Sequence, residues 1–260
     1  MIRAKPYSGT QAVRRAVAVL KIFSDARPEW GLTDLARATG LNKTTVYRLL
    51  TALASEGLVA RSPGTDTYRL GPEAIALGAR AVRSNDLRTV GRESLEELAR
   101  RSDETATVEV LAGGEILIVD EVHSRKWLHA SPSVGTRWPA HATSTGKVIL
   151  AYLPEGERKA LLRAPLSQPA RKTIATVGML RDELTRVRAQ GYATAVGELE
   201  DGYSAIGAPV FGHEGKVVAA VSVGGPSARL PAERLRELLP ILLEATASIS
   251  RSLGYIAVGK

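Results

Sequence analysis

Residues 32–50, LTDLARATGLNKTTVYRLL, contain two short helical patterns with a glycine between them. The first covers Thr33–Thr39, with Thr33 as its expected N-cap, and Gly40 suits the left-handed conformation in which many helices end. Asn42 is the expected N-cap of the second helix. Its apolar residues recur with helical spacing and predict a buried stripe: Val46, Leu49, Leu50 and Leu53. Two helices joined by such a tight turn indicate a helix-turn-helix.

The flanking segments extend this unit. A helical pattern, Gln11–Ser24, precedes it. The residues predicted to face the core are Val13, Val17, Leu20 and one of Ile22 and Phe23. Two short strand patterns, Leu58–Arg61 and Thr67–Leu70, follow it and are joined by a turn-forming segment, Ser62–Asp66. Three helices followed by a hairpin predict a winged helix-turn-helix.

The side of the second helix opposite its buried stripe carries hydroxyls and long cations, which reach base edges and phosphates in a major groove. Arg48 is the best candidate for reading a guanine. The predicted DNA contacts on this helix are Lys43, Thr44, Thr45, Tyr47 and Arg48, and those on the wing are Arg61 and Arg69. The alternative, a three-helix unit that binds no nucleic acid, accounts less well for the charge described next.

Basic charge is concentrated in the first third of the chain. Residues 1–90 contain 14 Lys and Arg against 7 Asp and Glu, whereas residues 91–260 contain 21 against 20. A basic head on a nearly neutral body is typical of a protein whose head binds double-stranded DNA.

The composition sets outer limits on the fold. The chain has 260 residues, of which 44% are apolar and 24% charged, which fits two globular domains rather than disorder. It contains no cysteine, so disulfides, thiol nucleophiles and thiolate metal sites are excluded. No apolar run approaches the roughly 20 residues that span a bilayer. Arg3 and Lys5 precede no apolar segment, so we expect no signal peptide and a cytoplasmic protein.

The body alternates between strand and helix patterns without regular β-α-β order. The helices are predicted at Glu73–Ser84, Leu87–Ser102, Val177–Gln190 and Pro231–Leu253. The strands are predicted at Thr105–Leu111, Glu115–Val122, Trp127–Ala130, Tyr192–Val196, Ser204–Phe211 and Val217–Gly224. The first two strands are joined by Gly113 and Gly114, a hairpin signal. This order predicts an α+β domain built on an antiparallel sheet.

Six segments together resemble the IclR family of bacterial transcriptional regulators, and they occur in that family's order. They are Leu32–Leu50, Tyr68–Gly71, Gly135–Lys147, Arg188–Tyr192, Gly202–Val210 and Ile249–Gly254. The resemblance implies a winged helix-turn-helix domain (1–72), a linker helix (73–89) and a GAF-like effector-binding domain (90–260). It also implies a homodimer or homotetramer on a near-palindromic operator, with no cofactor.

Thr143, Ser144 or Thr145 is expected to cap a helix that runs to about Tyr152. An effector site is expected at this helix N-terminus, because its free amides can donate hydrogen bonds to a carboxylate. The alternative is that these hydroxyls only cap their own helix. The resemblance places Ser144, Thr145 and Gly146 in the pocket. It places three further residues opposite them: Ala195, Ala205 and Ser222.

Family members that sense small keto acids commonly have an aspartate and a cysteine where this chain has Ala195 and Ala205. The resemblance therefore implies a roomier and more apolar pocket, suited to an aromatic or larger organic acid. The side chains that could form its walls are Trp127, Leu128, Trp138 and Tyr203.

The sequence supports an enzyme less well than a DNA-binding regulator. The spacing of His123, His129 and His141 fits no familiar metal site, so no metal is expected. Ser144 and Lys147 satisfy the Ser-x-x-Lys signature of acyl hydrolases, but the companion motifs are missing. An acyl hydrolase with a fused DNA-binding head remains the alternative function. An acidic patch is interpreted as a solvated loop: Glu198, Glu200 and Asp201.

Overall fold

A computed structural model of the chain describes residues 10–123, 134–162 and 165–256. The chain divides into two compact units, with the boundary between Ser84 and Asn85.

The N-terminal unit combines four helices with a small antiparallel sheet. Its elements are α1 (Gln11–Leu20), β1 (Trp30–Gly31), α2 (Leu32–Thr39), α3 (Lys43–Ser55), β2 (Val59–Arg61), β3 (Thr67–Leu70) and α4 (Pro72–Arg83). The strand order is β1-β3-β2, with Trp30 opposite Tyr68 and Val59 opposite Leu70. The predicted winged helix-turn-helix is confirmed, and β1 adds a third strand to the predicted hairpin.

Leu35, Val46 and Leu50 are fully buried at the centre of this unit. The apolar stripe predicted for α3 is confirmed, although Leu49 is only half-buried. The prediction for α1 was wrong for Val13 and Val17, which are 65% and 42% exposed, and is confirmed for Leu20 and Phe23. The stripe that packs on the core consists of Ala16, Val19, Leu20 and Phe23. This set has the spacing i, i+3, i+4, i+7, so its members lie on one face of α1. The face continues to Phe23, three residues after the helix ends.

The turn between α2 and α3 has the expected geometry. Gly40 is left-handed with φ 66°, and the Asn42 side chain accepts a hydrogen bond from the Thr45 amide at 2.8 Å. The predicted N-cap of α2 was wrong, because Gly31 and not Thr33 precedes the helix. Gly31 belongs to β1 and keeps the extended conformation of its strand, so the helix starts directly after it.

The C-terminal unit is built on one six-stranded antiparallel sheet with the order β6-β5-β4-β9-β8-β7. Its elements are α5 (Asp86–Ser102), β4 (Thr105–Ala112), β5 (Glu115–Val122), β6 (Arg137–Pro139), α6 (Ser144–Tyr152), α7 (Glu155–Leu161), α8 (Val177–Gln190), β7 (Ala193–Val196), β8 (Tyr203–Phe211), β9 (Val217–Pro226) and α9 (Ala232–Ser252). Gly113 and Gly114, with φ 70° and 94°, form the β4–β5 turn. The predicted α+β fold is confirmed.

Helices cover both faces of the sheet. Leu95 of α5 and Leu235 of α9 pack on one face with Val108 and Val221. The opposite face is covered by α6 and α8 through residues such as Val148 and Leu184. Because strand side chains alternate, the residues next to Val108 and Val221 point toward α6.

Two elements differ from expectation. The edge strand that pairs with β5 is Arg137–Pro139, and the predicted strand Trp127–Ala130 lies outside the described residues. The short α7 was not predicted. In the parts of the chain that the structure describes, no helix has both the length and the apolar character needed to cross a membrane.

Candidate functional site

The exposed side of α3 presents the residues predicted to contact DNA. Lys43, Thr44, Tyr47 and Arg48 are exposed, whereas Thr45 is half-buried and gives its amide to the Asn42 cap. Neither Lys43 nor Arg48 forms an ion pair with any residue in the described ranges. The N-terminal half of α3 therefore offers positive charge and hydroxyl groups that no described carboxylate neutralises.

The two wing arginines lie in different surroundings. Arg61 and Asp66 form an exposed ion pair across the β2–β3 turn, so part of the Arg61 charge is compensated locally. Arg69 is exposed on β3, opposite Ala60. Of the two, Arg69 is the better placed to attract a phosphate.

The second site is the face of the large sheet that α6 covers. Thr107 on β4 lies directly opposite Glu121 on β5 and Ser222 on β9. Glu109 follows Thr107 by two positions and so shares its face. Directly opposed residues of antiparallel strands project to the same side, so these four polar side chains form one group.

The β7 and β8 side of the same face is lined by small residues. Ala205 lies opposite both Ala195 and Gly224, and Gly207 lies opposite Ser222. The face predicted from the resemblance, with Ala195, Ala205 and Ser222 together, therefore exists in the fold.

The Tyr203 hydroxyl lies over Gly224, where a Cβ would be only 2.2 Å from it. Gly224 therefore has to be a glycine for the Tyr203 ring to lie along this face. The Tyr203 ring thus lies at the end of a row of small cross-strand partners, Ala195, Ala205 and Gly224.

The N-terminus of α6 packs directly on this face. Of the three candidate caps, Thr143 is the one used, and its hydroxyl accepts a hydrogen bond from the Gly146 amide at 3.0 Å. Gly207 makes the close approach possible, since a Cβ there would lie 3.0 Å from the Thr145 nitrogen and 3.1 Å from Ser144 Oγ. The backbone of Gly207 therefore packs directly against the first turn of α6.

Gly146, predicted to contact the ligand, also has a structural role. Its amide donates to the cap, and a Cβ on it would lie 2.0 Å from the Ala140 carbonyl oxygen. The residue is therefore required for packing α6 against the preceding 3₁₀ turn, Ala140–Ala142.

Glu109 is a buried carboxylate that was not predicted. It accepts hydrogen bonds from Thr107 Oγ1 at 2.6 Å and from Thr145 Oγ1, and Thr107 Oγ1 lies 2.8 Å from Ser222 Oγ. Burial raises the pKa of the Glu109 carboxyl, and these hydroxyls partly oppose the rise. The available signal was the Thr-x-Glu pattern inside an otherwise apolar strand.

Glu121 is a second buried carboxylate beside the first. Its side chain is 5% exposed, and burial together with repulsion from Glu109 and Asp120 raises its pKa to about 7. Its Oε1 lies 3.4 Å from His123 Nδ1, and its Oε2 has no hydrogen-bond partner among the described residues. Buried carboxylate oxygens are rarely left unsatisfied.

Asp120 points to the other face of the sheet, where Arg88 and Arg92 of α5 hold it at 3.2 Å and 3.1 Å. Its charge is thus compensated by two cations. Glu121, one residue further along the strand, has no comparable pair of cations among the residues that the structure describes.

The predicted apolar walls are only partly brought to this face. Tyr203 lies there, whereas Leu128 and Trp127 lie outside the described residues. Trp138 pairs with Ile116, five residues from Glu121 along β5, which corresponds to about 16 Å. Trp138 therefore packs at the far end of the strand.

Lys147 is buried within an ion-pair network. Its side chain is 1% exposed, and its Nζ donates to the Thr194 carbonyl at 2.6 Å and to Glu198 at 2.7 Å, with Glu183 at 3.3 Å. An ammonium held between two carboxylates cannot serve as the base of a Ser144 nucleophile. Lys147 therefore ties α6 to β7 and α8.

The interpretation of Glu198 as part of a solvated loop was wrong, because it pairs with Lys147, whereas Glu200 and Asp201 are exposed. The histidines are separately placed. His141 Nε2 donates to the Ser167 carbonyl at 2.7 Å, and His129 lies outside the described residues. Across residues 10–123, 134–162 and 165–256, no three metal-ligating side chains converge.

Two family descriptions match the chain and together cover most of it. The IclR helix-turn-helix domain matches residues 12–63, and the bacterial transcriptional regulator IclR C-terminal domain matches residues 79–251.

Curated relatives extend over nearly the full length. The regulator XynR of Escherichia coli is 34% identical over 250 residues, covering 95% of this chain and 98% of its own. The regulator KdgR of the same organism is 31% identical, covering 96% of this chain and 95% of its own. Both are named as HTH-type transcriptional regulators and not as enzymes.

Solved structures of IclR regulators also match the chain over nearly its full length. The IclR transcriptional regulator from Alicyclobacillus acidocaldarius has a TM-score of 0.82 and 30% identity, covering 94% of this chain and 98% of its own. An IclR homologue from Microbacterium hydrocarbonoxydans, solved with 4-hydroxybenzoate, has a TM-score of 0.77 and 27% identity, covering 94% of this chain and 99% of its own. With its basic helix-turn-helix and its helix-covered sheet, the chain belongs to the IclR family of transcriptional regulators and acts by binding DNA.

Proposed function

We propose that α3 is the recognition helix and that it enters a major groove of a near-palindromic operator. The observation that carries this proposal is the exposed, unneutralised side of its N-terminal half, where Arg48 reads a base and Lys43, Thr44, Thr45 and Tyr47 contact base edges or phosphates. Arg69 and, more weakly, Arg61 contact phosphates from the wing.

The proposed organisation follows the family resemblance: a DNA-binding domain (1–72), a linker helix (73–89) and an effector-binding domain (90–260). Two heads of a homodimer, or of a homotetramer, bind the two operator half-sites. The protein acts in the cytoplasm, where bacterial operator DNA lies, and it represses or activates the genes concerned.

The effector of the C-terminal unit is proposed to be a small organic acid, aromatic or larger than a simple keto acid. Its carboxylate binds the first-turn amides of α6 at Ser144 and Thr145. Ala195 and Ala205 provide room on the sheet face. The 4-hydroxybenzoate complex of the Microbacterium relative supports an acid of this class.

Fluorescence anisotropy tests this function directly. The full-length protein is titrated onto DNA from beside its own gene and onto an unrelated duplex of equal length, in a salt series, with and without 4-hydroxybenzoate and other organic acids. Selective binding that one acid shifts is the expected result. Equal, weak binding to both duplexes, unmoved by every acid, would contradict it.

A Gly207→Ala variant tests whether the acid binds at the start of α6. The added methyl group would lie 3.0 Å from the Thr145 nitrogen, so it should displace the first turn of α6 and weaken acid binding. DNA binding without acid should be retained, since the DNA-contacting residues belong to the other compact unit. Gly156→Ala, in α7 with nothing within 4 Å of the added Cβ, is the matched control.

A further inference from the structure

We propose that the effector of this protein carries a cationic ammonium group in addition to its acid group, and that this ammonium binds beside Glu121 and Glu109. The inference rests on the proposed effector function and makes it more specific, because it predicts a zwitterionic amino acid or an amino-substituted aromatic acid.

The first argument is charge. Glu109 and Glu121 are buried on the same sheet face, one strand apart, and no Lys or Arg among the described residues pairs with either of them. Lys147 on the neighbouring helix is already held by Glu183 and Glu198. The one titratable base beside them in the described ranges is His123, whose Nδ1 lies 3.4 Å from Glu121 Oε1 and leaves Oε2 unpartnered. Two buried carboxylates with no Lys or Arg partner are unfavourable, and a ligand that supplies positive charge relieves both.

The second argument is an unused acceptor. Both oxygens of Glu109 are occupied by the hydroxyls of Thr107 and Thr145, whereas Glu121 Oε2 is buried without a described partner. An ammonium group has three donors and no acceptor, so it complements this oxygen. A second carboxylate placed here would be repelled by both glutamates.

The third argument is the adjoining aromatic ring. Tyr203 lies on the same face, and burial and the neighbouring charges of Glu109 and Glu121 raise the pKa of its hydroxyl. An ammonium ion is attracted to the face of an aromatic ring. Ala205, the neighbour of this ring on the same face, has only a methyl side chain.

The acid group of the same ligand has a separate place. The Thr145 hydroxyl donates to Glu109, so the backbone amides and the Ser144 hydroxyl at the start of α6 remain to bind a carboxylate. Thr145 thus lies between the acid-binding amides and the glutamates, and a short ligand with opposite charges at its two ends fits this order.

Calorimetry on the full-length protein tests the inference with matched probes. One series is para-(aminomethyl)benzoate, para-(hydroxymethyl)benzoate and para-methylbenzoate, and the other is gamma-aminobutyrate, gamma-hydroxybutyrate and butyrate. We expect an amine to bind at least about tenfold more tightly than its hydroxyl match. At pH 7 its binding should release protons, since the ammonium favours ionised Glu121.

The Glu121→Gln variant should lose this preference and the proton release, while Glu115→Gln, an exposed position on the same strand, should keep both. Circular dichroism establishes that each variant is folded. Equal or tighter binding of the matches that lack an ammonium group, an unchanged preference in Glu121→Gln, or binding of neither amine overturns the inference.

Failure of the proposed function is recognised separately. If an acid without an ammonium group binds at least as tightly as the amines and shifts selective DNA binding, only the ammonium inference fails. If the protein does not distinguish its operator from unrelated DNA, the proposed function fails whatever the calorimetry shows.

Discussion

Arg48 combines two properties that a base-reading residue needs. It is exposed on the recognition side of α3, and no carboxylate in the described residues competes for its guanidinium. Its donors can therefore bind the two acceptors of a guanine edge.

Arg48→Ala should weaken operator binding by about 1–3 kcal/mol and reduce discrimination against unrelated DNA. Arg69→Ala, at a wing position proposed to contact phosphate, should weaken binding to both duplexes about equally. Anisotropy titrations at fixed salt compare the two variants. An equal loss on both duplexes for Arg48→Ala would mean that Arg48 contacts phosphate instead.

Glu121 affects stability in a pH-dependent way. Its pKa rises from 4.5 to about 7 on folding, so between these values the folded state binds more protons than the unfolded state. Stability is therefore lost as the pH rises through this window, by up to about 3 kcal/mol above pH 7. Glu109, whose pKa is also raised, acts in the same direction.

Glu121→Gln should accordingly be more stable than the wild type at pH 8, and the difference should shrink toward pH 5. Urea denaturation at the two pH values measures it, with Glu115→Gln as the exposed control. If the wild type and Glu121→Gln lose the same stability between pH 5 and pH 8, folding does not raise the pKa of Glu121.

At the scale of elements, α6 is held by one buried cation. Lys147 joins it to β7 through Thr194 and to the following loop and α8 through Glu198 and Glu183. Removal of Lys147 would leave two largely buried carboxylates without their counter-ion.

Lys147→Met should therefore destabilise the C-terminal unit by about 3 kcal/mol, near the lower end for a broken buried pair, because both glutamates keep some contact with solvent. Lys159→Met, which breaks an exposed pair with Glu155, should cost less than about 0.5 kcal/mol. Chemical denaturation compares them. A double change, Lys147→Met with Glu198→Gln, should recover part of the loss, and no recovery would argue against the charge explanation.

At the scale of the whole molecule, the net charge is unevenly distributed along the chain. The first 90 residues carry nearly all of the net positive charge, so DNA affinity should decrease steeply with salt. Lys43→Ala should reduce the slope of log affinity against log salt by roughly one, since one phosphate contact is lost. Lys159→Ala, on the C-terminal unit, should leave the slope unchanged. An unchanged slope for Lys43→Ala would remove Lys43 from the proposed interface.

The sequence alone determined the order and type of most elements. Gly40 and Asn42 mark the turn of the helix-turn-helix because their backbone and capping preferences are local, and the Gly113–Gly114 hairpin follows for the same reason. Strand limits such as Glu115–Val122 were predictable because a run of β-forming residues after a glycine turn is a local signal.

Only the tertiary structure decided which side chains meet. Val13 and Val17 have an apolar pattern but lie outside the core, since Val19 and Phe23 occupy the single side that α2 and α3 cover. Glu109 and Glu121 are twelve positions apart, and Ser222 lies far beyond both. They share a face because register pairs β4 with both β5 and β9 and because α6 then closes over them, and neither register nor burial is a local property of the chain.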